Sequence, residues 1–269
     1  MIFDMKKTTI GILGLGHLGA SLAFAALKNG IAAKNLYVSH RGSNASVQAA
    51  AKLGLTARVV RAEQLTASAD IVVLAVRPQD ALALAPFRAK PGTVVASCMA
   101  GLQTDFLSSA FGFGTRRIMC SGPGTIKMGI GTATLYPHDA AVCALLRRIG
   151  FDVFPSSSDE ELDSFTVGIC IPALIRALRI PRGDVAAAME AMRRDYPIYG
   201  PLAGWLDKLP SDVEEPGNVA TKGGVTETML RRLADGASLE SALRSGIARG
   251  RAIANEVASE AATAMKKAG

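Results

Sequence analysis

Gly14-Leu15-Gly16-His17-Leu18-Gly19 constrains the fold of this chain more than any other stretch of its 269 residues. These glycines follow an apolar, β-branched run, Thr8 to Leu13. They open an Ala- and Leu-rich segment, Leu18 to Lys28, that Asn29-Gly30 ends. A strand, a tight turn and a helix within about 30 residues make the first half of a βαβ unit. Each glycine then has a physical role. Gly14 permits the turn, Gly16 lets a ligand approach the backbone, and Gly19 lets helix and strand close up. Amides exposed at a helix start attract an anion, and a diphosphate suits that cradle. Gly14, Gly16, His17, Leu18 and Gly19 are therefore candidate dinucleotide ligands; a strand-to-helix turn without a ligand is the plainer alternative.

The alternation continues. Strand-like runs recur at Asn35 to Ser39, Ala69 to Val76, Thr93 to Ser97, Arg117 to Cys120 and Gly131 to Leu135, with helical segments between them. Such a pattern predicts right-handed crossovers and a mostly parallel sheet. The fold class expected is α/β: an N-terminal Rossmann-type doubly wound sheet over residues 1–155, then an all-helical C-terminal domain over residues 156–269. Beyond Phe154-Pro155-Ser156 only helical pattern is found. Ser158-Asp159-Glu160-Glu161 has the form of a capping box, opening a helix that runs towards Arg179 and either tolerates Pro172 or kinks there. A second helix is expected from Gly183 to Arg194. Tyr196 to Asn218, rich in Pro and Gly, reads as loop or broken helix. Helices over Thr226 to Leu233 and Leu239 to Met265 close the chain.

Composition narrows the partners. The formal charge is +7, but Lys and Arg are scattered in pairs at most and stacking aromatics are scarce, at 5%. Nucleic acid is therefore not expected. The longest apolar runs are strand-sized, which argues against a membrane span. Cys98, Cys120, Cys143 and Cys170 lie far apart in apolar contexts, so no metal site is expected and a reducing, cytoplasmic setting fits.

Cofactor choice is read at the end of the second strand, where an acid usually holds the ribose of NAD. Tyr37-Val38-Ser39-His40-Arg41-Gly42-Ser43-Asn44 holds no acid. Ser39, His40, Arg41 and Ser43 beside a helix start suit a 2′-phosphate. The cofactor expected is NADPH, with NADH second; a solvated arginine on a polar loop is the alternative.

With these motifs placed, the chain resembles the pyrroline-5-carboxylate reductase family. Ala75-Val76-Arg77-Pro78-Gln79 is similar to that family's AVKPQ segment. Ser97-Cys98-Met99-Ala100-Gly101 stands where it has a small-residue turn, and Thr221-Lys222-Gly223-Gly224-Val225-Thr226 resembles its glycine-glycine-threonine loop. The last helix, Leu239 to Arg251, agrees as well. The resemblance spans nearly the whole chain. It implies an NAD(P)H-dependent reductase of the C=N bond in a small cyclic imine carboxylate, of the proline-biosynthesis type, built as a homodimer or larger homo-oligomer through the helical domain. Ala75, Val76, Arg77, Pro78, Met99 and Ala100 join the cofactor set. Ser121, Pro123, Gly223, Gly224, Val225 and Thr226 become substrate ligands. Gly223 and Gly224 would free amides for a substrate carboxylate. Thr226 is placed at the helix N-cap, and by carry-over it hydrogen-bonds the imine nitrogen. A plain capping threonine is the structural alternative.

The chain departs from the family at three places. Cys120-Ser121-Gly122-Pro123 replaces a PNTP segment. Ile169-Cys170-Ile171-Pro172-Ala173-Leu174 replaces a glycine-serine-rich one. Pro172 and Pro181 lie nine residues apart, with a longer helix in the family. A divergent paralogue fits these changes. Three alternatives stand beside the imine reductase: a β-hydroxyacid dehydrogenase relative, a deazaflavin-dependent NADP reductase, and a non-catalytic dinucleotide-binding protein.

Overall fold

Short runs of Ile, Val and Leu build the centre of this molecule, because strands covered by helices on both faces bury most of their side chains. The structure, a computed structural model, describes residues 7–77, 80, 89–111, 114–210 and 223–268. Its N-terminal part contains β1 (Ile10–Leu13), α1 (His17–Lys28), β2 (Leu36–Ser39), α2 (Asn44–Lys52), α3 (Ala62–Ser68), β3 (Ile71–Leu74), β4 (Val94–Ser97), α4 (Thr104–Phe111), β5 (Thr115–Cys120), α5 (Pro123–Met128), β6 (Gly131–Tyr136), α6 (Ala140–Arg148) and β7 (Phe151–Pro155). The seven strands lie in the order β2-β1-β3-β4-β5-β6-β7. The first five are parallel, β6 runs antiparallel to β5, and β7 is parallel to β6. Leu22, Ala23, Val142 and Leu146 cover one face of the sheet. Leu65, Leu102 and Leu107 cover the other. This is the doubly wound architecture.

The sequence reading contains no β7. Phe151 and Val153 are buried while Asp152 and Phe154 are half-exposed, the period of two expected of a strand at a sheet margin. The run is only five residues long and lies where composition changes. Five residues give too few periods of alternation to stand out beside that change.

Helices follow: α7 (Asp159–Gly168), α8 (Ile171–Leu178), α9 (Arg182–Asp195), α10 (Tyr199–Leu206), α11 (Val225–Ala234) and α12 (Leu239–Ala268). Their core includes Phe165, Met192, Tyr199, Trp205 and Leu243, and takes in Met119 from β5. The capping box at α7 forms. Ser158 Oγ accepts from the Glu161 N–H at 3.1 Å, and Glu161 reaches back to the N–H of Ser157, one residue further than expected, at 2.7 Å. The helix expected to tolerate Pro172 or kink there is instead broken into α7 and α8. There Pro172 sits in the first turn of α8, where its missing N–H costs nothing.

Residues 199–206, expected as loop or broken helix, are helical as α10. Pro201 falls in its first turn. Tertiary contacts outweigh the glycines: the Trp205 indole N–H donates to the Ile130 carbonyl at 2.8 Å, and the Tyr199 hydroxyl donates to the Ser164 carbonyl at 3.1 Å. Burial pushes the Tyr199 hydroxyl well above its ordinary range, so it stays a donor.

A buried cation joins sheet and helices. Arg117 on β5 is 1% exposed. It pairs with Asp159 and, at 2.8 Å, with Asp163, both on α7. Burial pushes the Asp163 carboxyl up, against the pull of Arg117. Arg251 on α12 pairs with Glu160 in the same helical turn. Removing one partner of such a buried pair strands the other charge, at a cost of about 3–5 kcal/mol. The first turn of α7 is thereby fixed to β5 and α12 together.

Candidate functional site

The C-terminal ends of β1 to β4 form one edge, because ladder hydrogen bonds continue past the strands. The Gly14 N–H donates to the Ser39 carbonyl at 2.9 Å, the Ala75 N–H to Leu13 at 2.8 Å, and the Cys98 N–H to Leu74 at 2.9 Å. Gly14, His40, Ala75 and Cys98 are thereby aligned beside one another.

The glycine loop has the build that its spacing implies. Gly14 has φ +102°, a region that favours glycine, and a Cβ there would lie 2.5 Å from the Ala75 carbonyl. A Cβ on Gly19 would lie 1.8 Å from the Gly14 carbonyl oxygen. Gly16 differs: a Cβ there meets nothing within 4 Å. Packing therefore explains Gly14 and Gly19 and leaves Gly16 for another reason. Gly16 is the N-cap of α1 and supplies no side-chain cap, so the first amides of that helix have no side-chain partner at the cap. A dinucleotide diphosphate fits this cradle. His17 begins α1 and is exposed; Leu18 is half-buried against the core.

At the end of β2, Ser39 is buried and its carbonyl receives Gly14. His40 Nδ1 accepts the Gly42 N–H at 3.0 Å. Ser43 caps α2, its hydroxyl accepting the Ser46 N–H at 3.3 Å. Arg41 reaches across to the loop after β3, where both terminal nitrogens meet Asp80 at 3.0 Å. Arg77 Nε lies 3.2 Å from the same carboxylate. Two guanidinium groups, each about three-quarters exposed, thus converge on one anion. Asp80 is a site residue that the sequence reading missed. It is separated from Arg41 by 39 positions, and no local pattern connects them. Pro78 of the cofactor set, Gln79, and Thr221 and Lys222 of the glycine-glycine loop lie outside the described residues.

Val76 is half-buried, its Cγ1 2.8 Å from where a Gly14 Cβ would stand. After β4, Met99 is fully buried, with its N–H on Ser97 Oγ at 3.2 Å, while Ala100 is exposed. The Cys120 thiol beside it, together with burial, pushes the Cys98 thiol well above its ordinary range. Cys98 therefore remains a neutral thiol at neutral pH. Among the described residues no group of three or more His, Cys, Asp or Glu is placed to hold a metal ion.

The residues expected around the substrate fall into two sets. Ser121 is 1% exposed, and its hydroxyl accepts from Thr125 Oγ1 at 2.7 Å and from the Thr132 N–H at 3.0 Å. That hydroxyl is engaged inside the joint between β5, α5 and β6. Pro123 is the first residue of α5, after Gly122. At α11 the N-cap is Gly224, not Thr226, and no side chain caps it. Val225 and Thr226 are its first and second residues. Gly224 supplies the extended cap conformation, which places the N-cap two residues earlier than expected. Thr226, 6% exposed, thus sits inside the first turn with a hydroxyl that plays no part in capping. The Gly223 amide, expected free, donates to Glu227 Oε2 at 2.6 Å.

Helix α12 joins the two halves of the site. Arg249 Nε donates to the Gly223 carbonyl at 2.8 Å. A Cβ on Gly101, in the turn after β4, would lie 3.3 Å from Ala254 Cα. These contacts stand about 7.5 Å apart along one helix.

Residues 9–101 match the family model described as NADP oxidoreductase, coenzyme F420-dependent. That match covers β1 to β4 and stops well before the C-terminal helices, so it speaks for the first part of the chain alone. Over the whole chain, a pyrroline-5-carboxylate reductase from Coxiella burnetii superposes with TM-score 0.60 at 19% identity, covering 93% of this chain and 98% of that one. The chain has the fold of the pyrroline-5-carboxylate reductases. The enzyme from Plasmodium falciparum, solved with NADP bound, gives TM-score 0.60 at 17% identity, covering 93% and 100%. The one from Streptococcus pyogenes gives 0.59 at 20%, covering 91% and 98%. No curated protein matches the sequence. Among the described residues no helix is long and apolar enough to cross a membrane.

Proposed function

We propose that this chain is an NADPH-dependent reductase of the C=N bond of a small cyclic imine. The observation that carries the reading is α12, one helix that holds the Gly223 carbonyl through Arg249 and packs Ala254 against Gly101 in the turn after β4. A dinucleotide bound across the strand ends supplies a hydride. Gly16 and the first amides of α1 would hold its diphosphate, on the turn that Gly14 and Gly19 allow to close. Arg41, supported by Arg77, takes the 2′-phosphate; the end-on pair with Asp80 leaves Arg41 Nε as a donor. Thr226 offers its hydroxyl to the imine nitrogen. An imine is already electrophilic once protonated, so positioning and exclusion of water are the main demands on the protein. His17, His40 and His138 form no acid–base constellation, in keeping with that.

The test is steady-state oxidation of NADPH with a panel of five- and six-membered cyclic imines. Turnover of at least one imine, lost in Thr226→Ala with NADPH affinity unchanged, is expected. Tight NADPH binding with no turnover across the panel would favour a non-catalytic dinucleotide-binding protein instead, a reading to which the internally engaged Ser121 hydroxyl lends weight.

A further inference from the structure

Glu227 is the third residue of α11, and it folds back over the turn that begins the helix. Its Oε2 accepts the Gly223 N–H at 2.6 Å, while the Gly223 carbonyl accepts from Arg249 Nε at 2.8 Å. Gly223, with φ +72°, is therefore held from both sides. Among the described residues, two cations near this turn also face internal carboxylates. Arg249 pairs with Glu256 at 2.9 Å, and Arg231 stands 3.6 Å from Glu227. A helix start attracts one negative charge, and here the chain supplies that charge itself. A second carboxylate brought to the same turn would meet repulsion across a short distance. An imine lacking a carboxylate, neutral or protonated, meets none. Beside Glu227, the Thr226 hydroxyl is left outside the capping of the helix.

We infer that the substrate of this site is an imine without a carboxylate, and that Glu227 is the specificity-determining residue that excludes carboxylated ones. The inference rests on the imine reductase reading. Glu161 makes the same backward contact at α7, with Ser157, so a purely structural role for Glu227 is the competing account. Such a role would change stability without changing substrate preference.

The experiment compares kcat/KM for 1-pyrroline and for pyrroline-5-carboxylate in the wild type and in Glu227→Gln, with Tm and NADPH affinity measured alongside. Glutamine keeps an oxygen for the Gly223 N–H and removes only the charge. Wild type is expected to prefer 1-pyrroline by about tenfold or more. Glu227→Gln should narrow that ratio by about tenfold or more, the scale of one charge–charge contact, at nearly constant Tm. A wild type that favours the carboxylate, or a ratio that Glu227→Gln leaves unchanged, overturns the inference while the reductase reading stands. NADPH binding without reduction of either imine, or of any in the wider panel, overturns both together.

Discussion

Arg41 and Asp80 illustrate what single residues contribute and how far a sequence discloses it. The serine-arginine loop after β2 and its lack of an acid are local features, and they point to a phosphate-binding arginine. The acid that meets Arg41 enters from another crossover, so only the assembled sheet reveals it. The same holds at Thr226. A threonine after two glycines resembles an N-cap, yet backbone geometry gives that position to Gly224. Glu227 was partly within reach of the sequence, since an acid in the third helical position commonly reaches back to the cap; here it goes one residue further, to Gly223. For Arg41→Ala we predict an NADPH Kd raised about tenfold to 100-fold, the loss of a charge-assisted contact of about 1.5–3 kcal/mol, with NADH affinity nearly unchanged. Fluorescence titration with both cofactors checks it. Equal weakening of both would remove Arg41 from 2′-phosphate recognition.

Among the elements, the β1–α1 unit was legible because every level agrees: a buried strand, a glycine turn and an Ala-rich helix. Strand β7 and helix α10 were not, for different reasons. The period of two in β7 is short and sits at a change of composition. Helix α10 carries Gly200, Pro201 and Gly204, which lower its local propensity. Packing of Leu202 and Trp205 recovers it. The glycine loop also allows fold and binding to be separated. Gly19→Ala should unfold or strongly destabilise the domain, since its Cβ would lie 1.8 Å from the Gly14 carbonyl oxygen. Gly16→Ala should leave Tm within a few degrees, because its Cβ meets nothing within 4 Å, yet weaken the dinucleotide at least about tenfold, as a methyl group would stand where the diphosphate approaches. Thermal melts with and without NADPH separate the two. Full binding by Gly16→Ala would show that the open space there serves no ligand.

For the molecule as a whole, the split between an alternating α/β part and a helical part was readable from pattern alone. How the two halves meet was not, because it depends on long-range contacts: Arg117 with Asp159 and Asp163, Arg251 with Glu160, and Ala254 against Gly101. Together these fix α7 and α12 against the α/β part, and Arg249 of α12 holds the Gly223 carbonyl. The claim beneath this arrangement is that the strand-end edge binds a nicotinamide dinucleotide. Calorimetric titration of NADPH into the folded chain tests it most directly. Saturable binding of one dinucleotide per chain, tighter for NADPH than for NADH, is the predicted result; no heat of binding from either nucleotide, with the protein shown to be folded, would contradict it.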